Sequence, residues 1–308
     1  MPLVLVSSTR FVDHVTPAGH PERPERAEML AAVAARFRDA GGTVLEPRPA
    51  TDDDLARVHT REHIAGIVAV RGRATMIDED TFTSPDSDDI ARLAAGAVLT
   101  AVDHVLDGPA GTRALALVRP PGHHAEAGKA MGFCLYNNIA VGAAYARSRG
   151  RSRVAIVDYD VHHGNGTQAM FYEDPTVLFV SSHQYPFWPG SGAVSETGRG
   201  VGEGFTLNVP LTMGDRDDVV ERKYAEQVLP RLRQFKPELL MISAGFDAHE
   251  QDPLGQLRMT TAGFARLTQA LLDVAGEACE GRVVLVTEGG YDLEALSESL
   301  DAVIEVCR

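Results

Sequence analysis

The sequence predicts an α/β protein in which helices flank one central parallel sheet. Apolar, β-branched runs alternate with helical stretches along the whole chain, as in doubly wound folds. No Pro/Ser/Gly linker, internal repeat or low-complexity tail divides the 308 residues, so we expect a single domain over 1–308. Ligand-type side chains follow four of the predicted strands, where open parallel sheets bind their ligands.

Composition narrows the class of protein. Apolar residues make up 44% of the chain, enough for a sizeable core. The net charge of −14 argues against nucleic acid as a partner. Three cysteines without paired spacing suit a reducing compartment, and no apolar run is long enough to span a membrane. We expect a cytoplasmic protein without a membrane partner; a homo-oligomer is left open.

The elements follow in order from hydrophobic period and from Gly and Pro signals. Strands are predicted over residues 3–6, 113–118, 176–182, 205–209, 239–243 and 283–287, with another beginning at 154. Helices are predicted over 27–39, 51–57, 62–70, 90–106, 138–147, 217–235, 260–278 and 293–306, with another starting at 167. Residues 75–88 are polar and turn-rich and predict an exposed loop.

The stretch from Val154 to Thr167 carries the strongest signal. A buried strand leads into Asp158, Asp160 and His162 at alternate positions, which an extended chain places on one face. Three such side chains are costly to bury without a partner, so a metal or a proton-transfer group is favoured. The alternative is a solvated loop with a helix cap.

Asp247 follows another strand and is the third metal-ligand candidate, against the alternative of a helix N-cap. Two oxygens and one nitrogen, with a fourth position open, are typical of catalytic zinc. An oxygen-rich set also suits iron(II) or manganese.

The other two strand ends carry His123-His124 and Tyr291. A histidine can take a proton from an attacking water near neutral pH, although adjacent histidines are often surface or core residues. A tyrosine hydroxyl can donate to an oxyanion, although ordinary packing is the simpler reading.

Together these residues carry a resemblance to a known family. The chain resembles the zinc-dependent histone deacetylase family, and within it the class II-like and bacterial acetoin-utilisation, deacetylase-like amidohydrolase branch. The motifs run from about residue 20 to 292. They are His20-Pro-Glu-Arg-Pro-Glu-Arg26, Arg119-Pro-Pro-Gly-His-His-Ala125, Gly132-Phe-Cys134, Asp158-Tyr-Asp-Val-His-His-Gly-Asn-Gly-Thr167, Pro189-Gly-Ser-Gly192, Ser243-Ala-Gly-Phe-Asp-Ala-His249 and Glu288-Gly-Gly-Tyr291.

The resemblance implies the arginase/deacetylase fold, with about eight parallel strands, and hydrolysis of an acyl amide. It implies a zinc ion on Asp160, His162 and Asp247. His124 would be the principal general base, His123 its electrostatic partner oriented by Asp158, and Tyr291 the oxyanion donor. It also implies a potassium ion on Asp158 and Ser181 with the backbone carbonyls of Asp160, His162 and Ser182.

Further positions bear on specificity. Asn165 stands where class I enzymes carry an aspartate, which predicts a lower pKa for His124. Tyr291 predicts an active deacetylase, because a branch with histidine there is nearly inactive on acetyl-lysine. The resemblance implies a substrate channel beside Gly132 with aromatic walls from Phe133 and Trp188, Leu254 where polyamine deacetylases carry an acid, Asp80 as a substrate contact at the rim, and Arg26 beneath the site.

The leading hypothesis is a zinc-dependent deacylase of acyl-lysine in a protein, peptide or small molecule. An N-acetylpolyamine amidohydrolase is the alternative, favoured by the acidic surface and opposed by Leu254. A non-enzymatic acyl-ligand binder would have a broken ligand set or no Tyr291. An arginase-like enzyme with two metals would need further acids near His124 and Asp158, and the sequence has none at that spacing.

Overall fold

The computed structural model describes residues 3–308 and contains an eight-stranded parallel sheet. Its strands are β1 Leu3–Val6, β2 Thr43–Leu45, β5 Arg113–Ala116, β6 Val154–Asp158, β7 Val177–Gln184, β8 Thr206–Leu211, β9 Leu239–Ala244 and β10 Val283–Thr287. Their order is β2-β1-β5-β10-β9-β6-β7-β8. A separate antiparallel hairpin joins β3 Thr75–Met76 to β4 Phe82–Thr83. The predicted sheet is confirmed.

Helices cover both faces of the sheet. They are α1 Pro24–Asp39, α2 Asp52–Leu55, α3 Arg61–Ala69, α4 Ser87–Asp107, α5 Asn138–Ser148, α6 Asn165–Phe171, α7 Asp217–Lys223, α8 Leu229–Phe235, α9 Thr261–Ala278 and α10 Leu293–Cys307. A π-helical turn, Tyr224–Val228, joins α7 to α8, so the predicted helix over 217–235 is one element with a widened turn.

Alternation along each strand divides the core into two layers. On β10, Val283 and Leu285 pack with residues of α1, α9 and α10, whereas Val284 and Val286 pack with α4 and α5. All four side chains are fully buried, and each contributes roughly 1.5–3 kcal/mol by leaving water. A parallel sheet buried on both faces explains the continuous apolar runs in the sequence.

No helix within residues 3–308 has both the length and the hydropathy that a bilayer crossing requires.

Several local predictions are wrong. The segment 75–88 is not an exposed loop: it holds the hairpin and the start of α4, and Thr81 and Thr83 are buried. The short strand β2 was not predicted, because only three half-buried or exposed residues form it.

The reasoning about Asp158, Asp160 and His162 needs a related correction. Strand β6 ends at Asp158, so the other two side chains lie in the following loop and do not share a strand face. Helix α6 begins at Asn165, two residues before the predicted start.

Candidate active site

The four strands that end in ligand-type residues are neighbours in the sheet. Strands β5, β10, β9 and β6 lie side by side, and parallel pairing puts their carboxyl ends on one rim. A cavity of about 150 Å³ opens there. It is lined by Asp80, Pro121, His123, His124, Gly132, Phe133, His162, Trp188, Leu254 and Tyr291.

Asp160, His162 and Asp247 offer ligand atoms that all lie within 4.8 Å of one another. His162 Nδ1 lies 3.2 Å from Asp160 Oδ1 and 3.1 Å from Asp247 Oδ2. These distances are close to the edge of a tetrahedron whose corners are about 2.0–2.1 Å from its centre, as in zinc sites. Burial and the charge of Asp160 raise the pKa of Asp247 to about 7. A divalent cation would neutralise this repulsion, so the donor set fits the implied metal.

Backbone amides of neighbouring loops hold both carboxylates. Gly289 N–H donates to Asp160 Oδ2 at 2.8 Å, and Val161 N–H donates to Asp247 Oδ1 at 2.8 Å. A Cβ atom on Gly289 would lie 2.2 Å from Asp247 Oδ2, so position 289 requires glycine for close approach rather than for a turn.

The two histidines that follow β5 are buried and face different partners. His123 Nδ1 lies 2.9 Å from Asp158 Oδ2, and His124 Nδ1 lies 2.8 Å from Asn165 Oδ1. Burial opposes a charge on His123, but Asp158 and Asp160 raise its pKa well above the usual value. Burial and then His123 and His162 lower the pKa of His124 well below the usual value. The hydrogen bond to Asn165 itself acts to raise this pKa, and a lower pKa than with the aspartate of class I enzymes stays a prediction.

Glu288 is a buried residue that sequence reasoning did not single out. Its carboxylate accepts hydrogen bonds from the N–H groups of Gly122 and His123, at 2.7 and 3.1 Å, and from Ser243 Oγ at 2.9 Å. Burial raises its pKa to about 7. A charged residue directly after an apolar strand was the available signal, but its partners lie 45 to 166 positions away in the chain.

A buried ion cluster lies behind Tyr291. Arg26 donates to Glu22 Oε1 at 2.9 Å and to the carbonyls of Gly290 and Glu288 at 2.7 and 2.6 Å. Its guanidinium lies 5.0 Å from the Tyr291 ring centroid. Arg119 also pairs with Glu22 Oε1, at 2.6 Å. Arg26 thus holds the turn that presents Tyr291, and the expected position beneath the site is found.

Asp252 supports the same turn. Its Oδ2 accepts from Tyr291 N–H at 2.6 Å, and its Oδ1 accepts from Leu254 N–H at 2.9 Å. The carboxylate is therefore engaged with backbone.

The predicted wall residues surround the cavity. Phe133 packs edge-to-face on Tyr291 with 5.8 Å between centroids, and Trp188, 41% exposed, packs on His124 at 4.6 Å. Phe133 has φ 67°, a backbone conformation that a bulky residue rarely adopts. Asp80 lines the cavity, and its Oδ1 accepts from Gly132 N–H at 3.1 Å. Phe187, not singled out in advance, stacks on His162 at 5.4 Å.

The residues implied for potassium lie together below this site. Strand pairing sets Ser181 opposite Asp158, and Ser182 Oγ lies 3.5 Å from the Asp158 carbonyl oxygen and 2.8 Å from Tyr224 Oη. Ser181 Oγ is 2.9 Å from His183 Nδ1. Three of the five implied residues, Asp158, Ser181 and Ser182, are buried and offer oxygen atoms, the ligand type that a hard cation takes.

Fold and site together define a hydrolase of the deacetylase type. The family model described as a histone deacetylase domain matches residues 20–307. Histone deacetylase 10, chloroplastic, of Oryza sativa subsp. japonica is 42% identical over 302 residues, covering 91% of this chain and 68% of the rice protein. The polyamine deacetylase HDAC10 of Homo sapiens is 42% identical over 297 residues, covering 90% of this chain but 43% of the human protein.

A solved structure agrees. The HD domain of HDA15 superposes with a TM-score of 0.92 at 40% identity, covering 99% of this chain and 89% of that one. The chain belongs to the histone deacetylase family.

Proposed function

We propose that the protein is a zinc-dependent amide hydrolase that removes an acyl group, foremost acetyl, from the side-chain amine of lysine in a protein, peptide or small molecule. The proposal depends on one observation, that the candidate side chains converge on one place in the structure. His123, His124, His162 and Tyr291 line one cavity of about 150 Å³, and Asp160 and Asp247 offer ligand atoms within 4.8 Å of that of His162. A zinc ion held by Asp160, His162 and Asp247 would polarise the acyl carbonyl and lower the pKa of water.

The chain's own residues then divide the proton transfers. His124 Nδ1 faces Asn165, which leaves Nε2 free to accept the proton of the attacking water and later to give it to the leaving amine. His123, bonded to Asp158, supplies positive charge beside the scissile bond. The Tyr291 hydroxyl donates to the developing oxyanion.

The walls select the substrate. Gly132, Phe133 and Trp188 border the channel, where aromatic faces favour an aliphatic stem and exclude water. A Cβ on Gly132 would meet His124 and Trp188 at 2.6 Å, so glycine keeps the channel open beside the base. Leu254 at the mouth offers no charge.

We also propose that Asp158, Ser181 and Ser182 contribute to a potassium site. The buried oxygen atoms at the end of β6 and within β7 support it. A cation there would stabilise the ionised Asp158 that orients His123.

Purified zinc-loaded protein should hydrolyse acetyl-lysine peptides and be inhibited by hydroxamates. The panel should extend to longer acyl-lysines and to free acyl-lysine. Failure to hydrolyse any acyl-lysine or acyl-amine, together with resistance to hydroxamates, would contradict the proposal.

The metal assignment has its own test. Asp247→Ala should lose zinc and activity, because it removes one of the three ligands. The control is Asp301→Ala, which removes a surface carboxylate paired with Arg36. Metal analysis should find zinc in the control only; equal zinc in both would exclude Asp247 as a ligand.

The second candidate is an N-acetylpolyamine amidohydrolase, supported by the similarity to the human polyamine deacetylase. Leu254 at the mouth opposes it, and Asp252 is engaged with backbone amides. Comparing kcat/KM for N-acetylspermidine and acetyl-lysine peptides distinguishes the two, and we expect the peptide to be preferred.

A further inference from the structure

The base His124 is connected to a carboxylate through an amide. Asn165 Oδ1 lies 2.8 Å from His124 Nδ1, and Asn165 Nδ2 donates to Glu126 Oε1 at 3.0 Å. Asn165 begins α6, and Glu126 lies two residues after His124 in the loop that follows β5. Glu126 is half-buried and lines a surface cavity of about 820 Å³ outside the substrate channel.

Donor and acceptor chemistry fixes the direction of this chain. An ionised carboxylate only accepts hydrogen bonds, so Glu126 must face the amide nitrogen of Asn165. The amide oxygen must then face His124, and Nδ1 must carry the ring proton of the neutral imidazole. The lone pair is left on Nε2, which is the nitrogen that a general base needs.

The amide alone would not secure this arrangement. If Asn165 turned over, its NH₂ group would face His124 and stabilise the tautomer with the proton on Nε2, which cannot accept a proton from water. The remaining contacts of Asn165 Nδ2 are weaker. The His124 carbonyl is distant at 3.4 Å, and Met131 Sδ, also at 3.4 Å, is a weak acceptor. The carboxylate of Glu126 supplies the directional contact.

We propose that Glu126 is a positioning residue that holds the Asn165 amide with its oxygen toward His124 and thereby fixes the base in its active tautomer. The inference rests on the proposed deacylase function. Asp158 orients His123 by direct contact at 2.9 Å, whereas Glu126 acts on His124 through an intervening amide.

Three substitutions at one position separate this role from a structural one. Glu126→Gln keeps an acceptor oxygen and should retain kcat within about threefold. Glu126→Met removes the acceptor at similar volume and should lower kcat about tenfold, part of the 10²–10⁴ that general-base catalysis contributes. Glu126→Lys presents a donor, turns the amide over and should lower kcat about a hundredfold. KM should change little, because Glu126 does not line the channel.

The matched control is Glu173→Met. Glu173 is exposed, lines the same surface cavity and pairs with Arg199 rather than with the site. Its kcat should equal that of the wild-type protein. A fall in kcat for this variant equal to that of Glu126→Met would overturn the proposal, since general loss of surface charge would then be the cause.

In a second protein background, Asn165→Asp, Glu126→Met should have the opposite effect on kcat. In Asn165→Asp, a carboxylate accepts from His124 directly and faces Glu126, so the two like charges repel. Adding Glu126→Met in this background should raise kcat, although the same change lowers it in the wild-type background. A reduction in both backgrounds would overturn the role of the amide.

The tautomer itself can be observed without turnover. In zinc-loaded protein labelled with ¹⁵N-histidine, two-bond ¹H–¹⁵N spectra distinguish Nδ1–H from Nε2–H, and His124→Gln identifies the signal among the 11 histidines. We expect Nδ1–H in the wild type and in Glu126→Gln, and Nε2–H in Glu126→Lys. Nε2–H in the wild type, or an unchanged tautomer in Glu126→Lys, overturns the inference. A wild-type protein that hydrolyses no acyl substrate refutes the proposed function instead.

Discussion

Tyr291 is held by three contacts, two to its ring and one to its backbone. Its ring contacts Phe133 and the Arg26 guanidinium, and its backbone N–H donates to Asp252. Burial raises the pKa of Tyr291 well above its usual value, so the hydroxyl keeps its proton and can donate it. Packing therefore holds the ring in place, and the hydroxyl can be removed by substitution without changing that packing.

Tyr291→Phe should keep this packing and remove only the donor. We expect kcat to fall about 10²–10³-fold, the effect of losing one oxyanion donor, with little change in KM or zinc content. Steady-state kinetics with an acetyl-lysine peptide and metal analysis provide the check. A kcat within about threefold of wild type would exclude the proposed role.

The candidate residues identified from the sequence differ in one respect from those that sequence reasoning missed. His123, Asp160 and His162 are ligand-type residues in the loops that follow strands, and the local pattern identifies them as candidates. Glu22, Arg119 and Glu288 act by contacts to partners far along the chain, such as the 97 positions between Glu22 and Arg119. A single sequence does not indicate such pairing, because burial of a charge depends on the folded neighbour.

Among the elements, the hairpin of β3 and β4 has the largest unpredicted role. Its turn places Thr81 Oγ1 3.1 Å from Phe133 N–H and Asp80 Oδ1 3.1 Å from Gly132 N–H. Two polar side chains from the hairpin thus hold the channel wall where the backbone has φ of 58° and 67°. Polar composition suggested exposure, but these polar groups are used inside the protein.

Thr81→Val should loosen the channel wall. The substitution is similar in shape but leaves the half-buried Phe133 N–H unpaired, at a cost of up to about 1–3 kcal/mol. We expect KM for acyl-lysine to rise roughly five- to tenfold with a smaller change in kcat. Thr83→Val is the control, because Thr83 bonds only within the hairpin, to the Thr75 carbonyl at 3.3 Å. Equal KM values for both variants would contradict this role.

At the scale of the whole molecule, the alternation of strands and helices was sufficient to predict the sheet and its functional rim. The alternation did not predict the strand order, because β10, the last strand in the chain, inserts between β5 and β9. The convergence of Tyr291 with His123 follows from that insertion. The particular fold and its number of strands came from the resemblance of ordered motifs rather than from periodicity.

Buried neutral histidines make the fold sensitive to acid. Burial and the neighbouring His63 lower the pKa of His59 to about 3, and its Nε2 accepts from Asn137 N–H at 2.9 Å. Below the unfolded value of about 6.5, the unfolded chain binds more protons than the folded one. Stability from this group is therefore complete above pH 6.5 and is lost as pH falls toward 3.

His59→Gln should reduce this dependence. Without the His59 imidazole, the chain takes up one proton fewer on unfolding. The slope of the unfolding free energy against pH should therefore fall by up to about 1.4 kcal/mol per pH unit. Urea denaturation of both proteins at pH 7, 6 and 5 measures the slopes, whatever the variant's stability at pH 7. Identical slopes would show that His59 does not contribute.

The position of Gly289, which donates to Asp160 and lies close to Asp247, has a consequence for how the fold opens. Because Asp160 lies after β6, Asp247 after β9 and Gly289 after β10, one ion bound by the first two residues would bind together three chain segments that are distant in sequence. Fraying of the β10 end would then require release of that ion. Amide hydrogen exchange at Gly289 would thus report metal occupancy, and metal depletion would loosen the loop after β10 while β10 itself stays paired with β5 and β9.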